Sequence, residues 1–429
     1  VAETYLLRGA RQLLTLRGPS EARRGSGLSD LAIINDGAVL IRDGRIEEVG
    51  MSRRVENLAA SRRATIIDAT GHVVMPAFVD SGVSLVHAHH AVERNDERLR
   101  NGLPQTACSQ REDILEGARA LKLVSKKGLT LRGAHLTEAF ARHGTGTVGA
   151  VSGYGIDDTG EIKTLRTFEA LQSLPVSLEP TFFGANAVPD GDLPESYAQK
   201  VLAPLCQLVA RRRLAAIAAV RCGPCSFPIE TARAFLRAAQ ENGLHRAIYA
   251  QQFAPDESIR LALEMNALSI THLEHASDVD ITLLSKCNTI GVLTPAATFH
   301  MGLTRFAAAR TMIDEGAAVA LATAYNPDQC PTYSMPFTIT MACRYLGMSP
   351  AEAITASTIN AAYAIARGRS TGSIECGKQA DLLILNARDY RELPLSPGVN
   401  MVHTMMKAGR IIHTPSGRTD ISRAANALK

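Results

Sequence analysis

Eight apolar runs of five to eight residues, separated by helix-like stretches, constrain this chain more than any other feature. They are Val73 to Val79, Thr147 to Ser152, Val176 to Phe183, Ala215 to Arg221, Arg246 to Gln251, Leu268 to Leu273, Thr289 to Pro295 and Val319 to Thr323. A short, nearly continuous apolar run suits a strand buried on both faces. Helical stretches such as Thr164 to Leu174, Ile229 to Asn242 and Asp256 to Asn266 lie between the runs. Eight βα alternations argue for an α/β fold closed into a (β/α)8 barrel rather than a doubly wound sheet. In such a barrel, chemistry belongs to side chains just past the C-terminal ends of the strands.

The 429 residues exceed one barrel of about 250 residues, so a second module is expected. Short alternating segments fill the N-terminal part, at Tyr5 to Leu16, Ala38 to Ile41 and Arg45 to Val49, with turns at Asp36-Gly37 and Asp43-Gly44. Strand patterns return at Gly372 to Ile374, Asp381 to Leu385, Val402 to Lys407 and Arg410 to His413, after a helical pair opened by Ser349-Pro350. The expected division is a composite β-sandwich from residues 1–72 and 370–429 around a barrel at 73–369.

A net charge of +4 with scattered basic residues argues against a nucleic-acid footprint. No apolar run reaches the length of a membrane span, and the N-terminus lacks a signal-peptide core, so a cytoplasmic protein is expected. Eight cysteines in a chain this long do not form a secreted disulfide framework.

Several motifs have both a chemical and a plain reading. Gly144-Thr-Gly146-Thr-Val-Gly149 fits the dinucleotide pattern but runs straight into a strand, which the pattern does not allow. Cys222-Gly-Pro-Cys225 follows the fourth strand, where a helix N-terminus could activate a thiol; two structural cysteines are the alternative. His87, His89 and His90 have spacings that could grip a metal, yet their charged neighbours suit a solvated loop or the start of a helix. His272 ends the sixth strand, where a histidine can serve as acid, base or donor. Ser152, Tyr154, Asn186, Tyr249, Gln252, Thr323, Tyr325 and Asn326 converge on the same rim, supplying many donors and acceptors but few charges.

The segments Val73 to Leu85, Ser152-Gly-Tyr-Gly155, Pro180 to Pro189, Thr271 to Ser277, Leu321 to Pro327 and Gly372 to Leu383 resemble the amidohydrolase superfamily, and within it the imidazolonepropionase branch. The resemblance covers nearly the whole chain. It implies a distorted barrel, a composite β-sandwich, a homodimer, and a metal held by a His-x-His pair after strand one, a His on strand five and an Asp after strand eight. Here those positions are Gly82 and Ser84, Tyr249, and Ala324, none of which can replace its ligand. The acid that the resemblance implies on strand five is Gln252, and the substrate-contacting histidine after strand three is Asn186. Tyr154, His272 and Asn326 stand where the family handles its substrate.

Three functions follow as expectations. The first is an enzyme without a metal or other cofactor that works on a small polar cyclic compound of imidazolone, hydantoin or lactam type, or on its open-chain precursor. It would act by ring closure, ring opening, dehydration or tautomerisation, with His272, Tyr249 and Gln252 as the catalytic set. The second is an inactive homologue that binds a ligand or a partner protein. The third is thiol chemistry at Cys222 or Cys225.

Overall fold

The computed structural model describes residues 3–88, 92–172 and 175–414, so His89 and His90 of the histidine cluster lie outside the described residues. The N-terminal strands are Thr4–Leu14 (β1), Ile33–Arg42 (β2), Arg45–Met51 (β3), Thr65–Asp68 (β4) and Val73–Pro76 (β5). The barrel strands follow as Phe78–Val83 (β6), Thr145–Val151 (β7), Ser177–Ala185 (β8), Ile217–Arg221 (β9), His245–Ala250 (β10), Ser269–His272 (β11), Ile290–Leu293 (β12) and Val319–Leu321 (β13). Leu382–Leu385 (β14), Val402–Lys407 (β15) and Arg410–His413 (β16) complete the strands.

The fold is α/β, an eight-stranded parallel sheet that nearly closes into a barrel, with a second, mixed sheet beside it. The barrel strands pair in chain order from β6 to β13, each pair parallel. The mixed sheet runs β16-β15-β14-β5-β1-β2-β3, with β4 beside β1, so the two ends of the chain meet where β14 pairs with β5. Leu7, Leu13, Val39, Ile41, Leu382 and Ile384 are buried together in the core of that sheet.

The run Val73 to Val79 does not form one barrel strand as expected. Val73–Pro76 pairs antiparallel with β14, and the first barrel strand begins only at Phe78. Proline without a backbone N–H and the following Ala77 fall at the crossing from one sheet to the other. The glycines of Gly144 to Gly149 lie in and just before β7, so no helix opens there. Ser349 caps the helix Pro350–Ala356 in a capping box with Glu352.

No β13 to β6 ladder closes the barrel among the described residues. Side-chain and loop bonds span that seam instead. Asp80 on β6 accepts the Thr323 backbone N–H at 3.1 Å and the Thr323 hydroxyl at 2.5 Å. The Ser84 N–H donates to the Tyr325 carbonyl at 2.8 Å. Among the described residues, no helix is long and apolar enough to cross a membrane.

Candidate active site

The C-terminal strand ends create a cleft walled by Asn186, Arg221, Cys222, Tyr249 and Gln252 on the barrel side. Gln110 and Arg111 enter from the helix Ala107–Leu123, which belongs to the long insert between β6 and β7. Two connections hold that helix over the rim. Gln110 donates to Gln252 Oε1 at 3.1 Å and to Gln329 Oε1 at 3.0 Å, and Cys108 is disulfide-bonded to Cys225.

Arg221 is the last residue of β9 and occupies the middle of this wall. Its Nε donates to Asn186 Oδ1 at 2.9 Å, while one Nη reaches Gln252 Oε1 only at 3.5 Å. Its guanidinium carbon lies 5.6 Å from the Phe183 ring centre and 5.8 Å from that of Tyr249, two rings that stack at 4.4 Å. Burial lowers its pKa to about 10, which leaves it charged at neutral pH.

Tyr249 and His272 end adjacent strands, with ring centres 5.8 Å apart. Burial pushes the Tyr249 phenol up to about 12. His272 Nδ1 pairs with Thr294 Oγ1 at 3.0 Å, and burial, with the Arg221 charge second, holds its pKa well below the usual imidazole value. The imidazole is therefore neutral across the physiological range. His272 and Leu273 adopt φ of +91° and +72°, a left-handed conformation that is costly for side-chain-bearing residues and turns the chain sharply at the end of β11. His272 does not line the cleft itself; it sits behind Tyr249.

The polar candidates are held largely by hydrogen bonds within the protein. Asn326 Nδ2 donates to the Tyr154 hydroxyl at 2.5 Å, and Asn186 Nδ2 to the Gly153 carbonyl at 3.1 Å. Ser152 Oγ donates to Glu161 at 2.5 Å and accepts from the Phe183 N–H at 2.8 Å. Glu161 also takes the N–H groups of Gly153 and Gly155 at 3.0 and 2.7 Å, which fixes the loop that carries Tyr154. Thr323 is held by Asp80, and its Oγ1 also accepts the Tyr325 N–H at 3.1 Å. The Tyr325 ring packs edge-on against Phe140 at 5.6 Å.

The thiol reading needs correction at Cys225, whose sulfur is bonded to Cys108 and is not a free nucleophile. Cys222 is free, but burial raises its pKa far above the normal thiol range, so little thiolate forms. His87 is buried, with Nδ1 3.2 Å from the Ser84 carbonyl, rather than part of a solvated loop.

The donor set does not fit the divalent metal that the family resemblance implies. A Cβ on Gly82 would lie 3.2 Å from the Tyr249 hydroxyl oxygen, so the phenol already fills the space beside that position. Ser84 Oγ is 3.5 Å from Asn326 Nδ2, and Ala324 offers no donor. Among the described residues no three His, Cys, Asp or Glu side chains converge.

Arg221 was not among the candidates read from the sequence, although a cation closing a barrel strand was the available signal. Gln110 and Cys108 had no such signal, because an insert helix reaches the rim only in three dimensions.

The barrel, its second sheet and a polar cleft at the strand ends describe an amidohydrolase-type protein, and the sequence profile of the Amidohydrolase family matches residues 73–414. The chain belongs to the amidohydrolase family. It is 37% identical over 415 residues to the imidazolonepropionase of Solibacter usitatus, covering 96% of this chain and 99% of that protein. The imidazolonepropionase of Geobacillus kaustophilus is 37% identical over 412 residues, covering 95% and 97%. Among solved structures, a triazine hydrolase variant superposes with a TM-score of 0.75 at 15% identity, covering 99% and 98% of the two chains. Escherichia coli guanine deaminase has a TM-score of 0.68 at 15% identity, covering 96% and 99%. These two structural matches share the fold.

Proposed function

We propose that this protein is a metal-independent member of its family that makes or breaks a ring C–N bond in a small polar cyclic compound of imidazolone, hydantoin or lactam type, or in its open-chain precursor. The observation that carries this reading is the Tyr249–His272 pair, a phenol and an imidazole with ring centres 5.8 Å apart, at a rim where Gly82, Ser84, Tyr249 and Ala324 stand at the positions that the resemblance gives to metal ligands. The relatives named imidazolonepropionase supply the substrate class.

In the ring-opening direction, a water oxygen bonds to the ring carbonyl carbon and the π pair moves to the carbonyl oxygen. The water proton passes to His272 through one intervening water, since the imidazole is not itself in the cleft wall. Collapse of the adduct breaks the C–N bond, and the nitrogen leaves with the electron pair and takes the proton back from His272. Burial, with the Arg221 charge second, disfavours the imidazolium, which favours prompt return of the proton. Tyr249, neutral because its pKa is about 12, donates a hydrogen bond to the reacting ring. Gln252, which cannot take a proton, orients the ring through its amide. Asn186 and Asn326 supply further polar contacts, and the protein works as the homodimer that the resemblance implies.

Turnover of imidazolonepropionate, hydantoins and small lactams by chelator-treated protein tests the reading. His272→Ala should lower turnover by about 10²–10⁴-fold with the fold intact. Tyr249→Phe should lower kcat more than it changes KM. Full activity in His272→Ala would remove the histidine from the mechanism. No turnover of any compound by the native chain would leave a ligand-binding or partner protein on the same scaffold.

A further inference from the structure

Two guanidinium groups reach the cleft wall, and their surroundings differ. Arg111 is paired with a carboxylate: its Nη2 donates to Asp190 Oδ1 at 2.9 Å, an aspartate it shares with Arg119, and to the Val188 carbonyl at 2.8 Å. Arg221 has no carboxylate within ion-pair distance among the described residues; its hydrogen-bond partners are two neutral amides, Asn186 and Gln252. A guanidinium has five N–H donors, and these amides engage only two nitrogens, the second at the limit of hydrogen bonding. Among the described residues Nη2 has no hydrogen-bond partner, and the half-buried Arg221 is part of the cleft wall. The stacked Phe183 and Tyr249 rings lie beside the guanidinium, and the Nε bond to Asn186 fixes its plane. Keeping a cation in this place without an anion is costly unless negative charge arrives from elsewhere.

We infer that Arg221 is the electrophilic residue of the site, its open N–H groups receiving the negative charge that develops on the substrate's ring carbonyl oxygen. The inference rests on the reading of the site as one that opens or closes a ring C–N bond. As the water oxygen bonds to the carbonyl carbon, the displaced π pair becomes an oxyanion bound by Arg221. Collapse returns that pair to the C=O bond as the C–N bond breaks. A preset cation is worth most at that stage, because it needs no reorganisation when the charge appears. Asn186 is a positioning residue: it holds Nε and aims the rest of the group.

Calorimetry with two probes tests this without any turnover. Barbiturate is a planar cyclic ureide that is already an oxyanion at neutral pH and carries no carboxylate; dihydrouracil is a neutral ring of similar size. The native chain should bind barbiturate about 10–100-fold more tightly than dihydrouracil, the ratio expected of one charge-assisted contact. Arg221→Gln should abolish that preference while leaving dihydrouracil binding within about threefold. Asn186→Asp, a nearly isosteric change that places a carboxylate on Arg221, should abolish it too, and keeps the test open if Arg221→Gln does not fold. An equal affinity of the native chain for both probes, or a preference that survives either change, overturns the assignment.

Kinetics on imidazolonepropionate add a second arm. Arg221→Gln should lower kcat by about 10²–10³-fold with KM nearly unchanged. A raised KM at unchanged kcat would make Arg221 an anchor for the substrate's own carboxylate and would overturn its role as electrophile. Should the native chain turn over nothing, the enzymatic reading fails on its own, and the barbiturate preference still decides whether Arg221 is an oxyanion site.

Discussion

Thr323 closes the barrel on Asp80, with its hydroxyl 2.5 Å and its backbone N–H 3.1 Å from the two carboxylate oxygens of a fully buried side chain. The contact joins the first and last barrel strands where the backbone ladder is absent. Burial raises the Asp80 pKa to about 7 and the Thr323 bonds oppose the shift. Thr323→Ala should therefore destabilise the protein by about 1–3 kcal/mol, and Thr323→Ser much less. Urea unfolding midpoints check this; equal stability of the Ala variant and the native chain would show that the seam is held by other contacts.

Elemental analysis of purified protein should find no stoichiometric zinc, iron or manganese. Gly82→His alone should not create a site, because it supplies a single strong donor and its Cβ, 3.2 Å from the Tyr249 hydroxyl, needs that side chain to shift. Gly82→His, Ser84→His, Tyr249→His and Ala324→Asp combined restore the donor types. They should bind zinc only weakly if the surrounding hydrogen bonds are wrong, since such partners are worth about 10–100-fold in affinity. Near one metal per native chain would defeat the metal-independent reading.

Glu274 is buried at the end of the sixth barrel strand, with one oxygen accepting from Thr298 at 2.7 Å and the other without a partner. Burial raises its pKa from 4.5 to about 8. The folded state thus holds a proton that the unfolded state releases above pH 4.5, so this group's stabilising effect falls as pH rises from 4.5 to about 8. Glu274→Gln removes the titration. Its stability relative to the native chain should climb over that pH interval, by about 1 kcal/mol or more; a constant difference in melting temperature from pH 5 to pH 8 would contradict the assignment.

Six of the eight cysteines should react with a thiol reagent in denaturant, and all eight after reduction. Changing Cys108 and Cys225 together to Ser should cost about 2–4 kcal/mol, because the bond ties together parts of the chain 117 residues apart. Native Cys222 should resist alkylation until the protein unfolds. Eight reactive thiols in unreduced protein would mean that the insert helix is held by its glutamine contacts alone.

Local patterns in the chain predict a barrel because the signal for each strand lies within five to eight neighbouring residues. The same locality explains the error at Val73 to Val79. Periodicity reports that a run is buried, and both halves of this run are; it cannot report which sheet buries them. That Gly82, Ser84, Tyr249 and Ala324 are neither His nor Asp was equally legible, since side-chain chemistry is a property of the residue and not of its surroundings.

Tertiary structure alone decided what those surroundings are. Ser152 and Thr323 read as rim donors, but each is held by a buried carboxylate, Glu161 and Asp80. Arg221 read as the last letter of a strand, and became the central cation of the cleft once Asn186 and Gln252 arrived from two other strand ends to meet it. Cys225 read as half of a local pair, and its sulfur instead joined Cys108 on the insert. The sequence by itself determined which groups the chain could bring to the rim. Which groups face the cleft, and which are spent holding the structure together, depends on bonds between residues far apart in the chain, and those distances exist only after the sheets have closed.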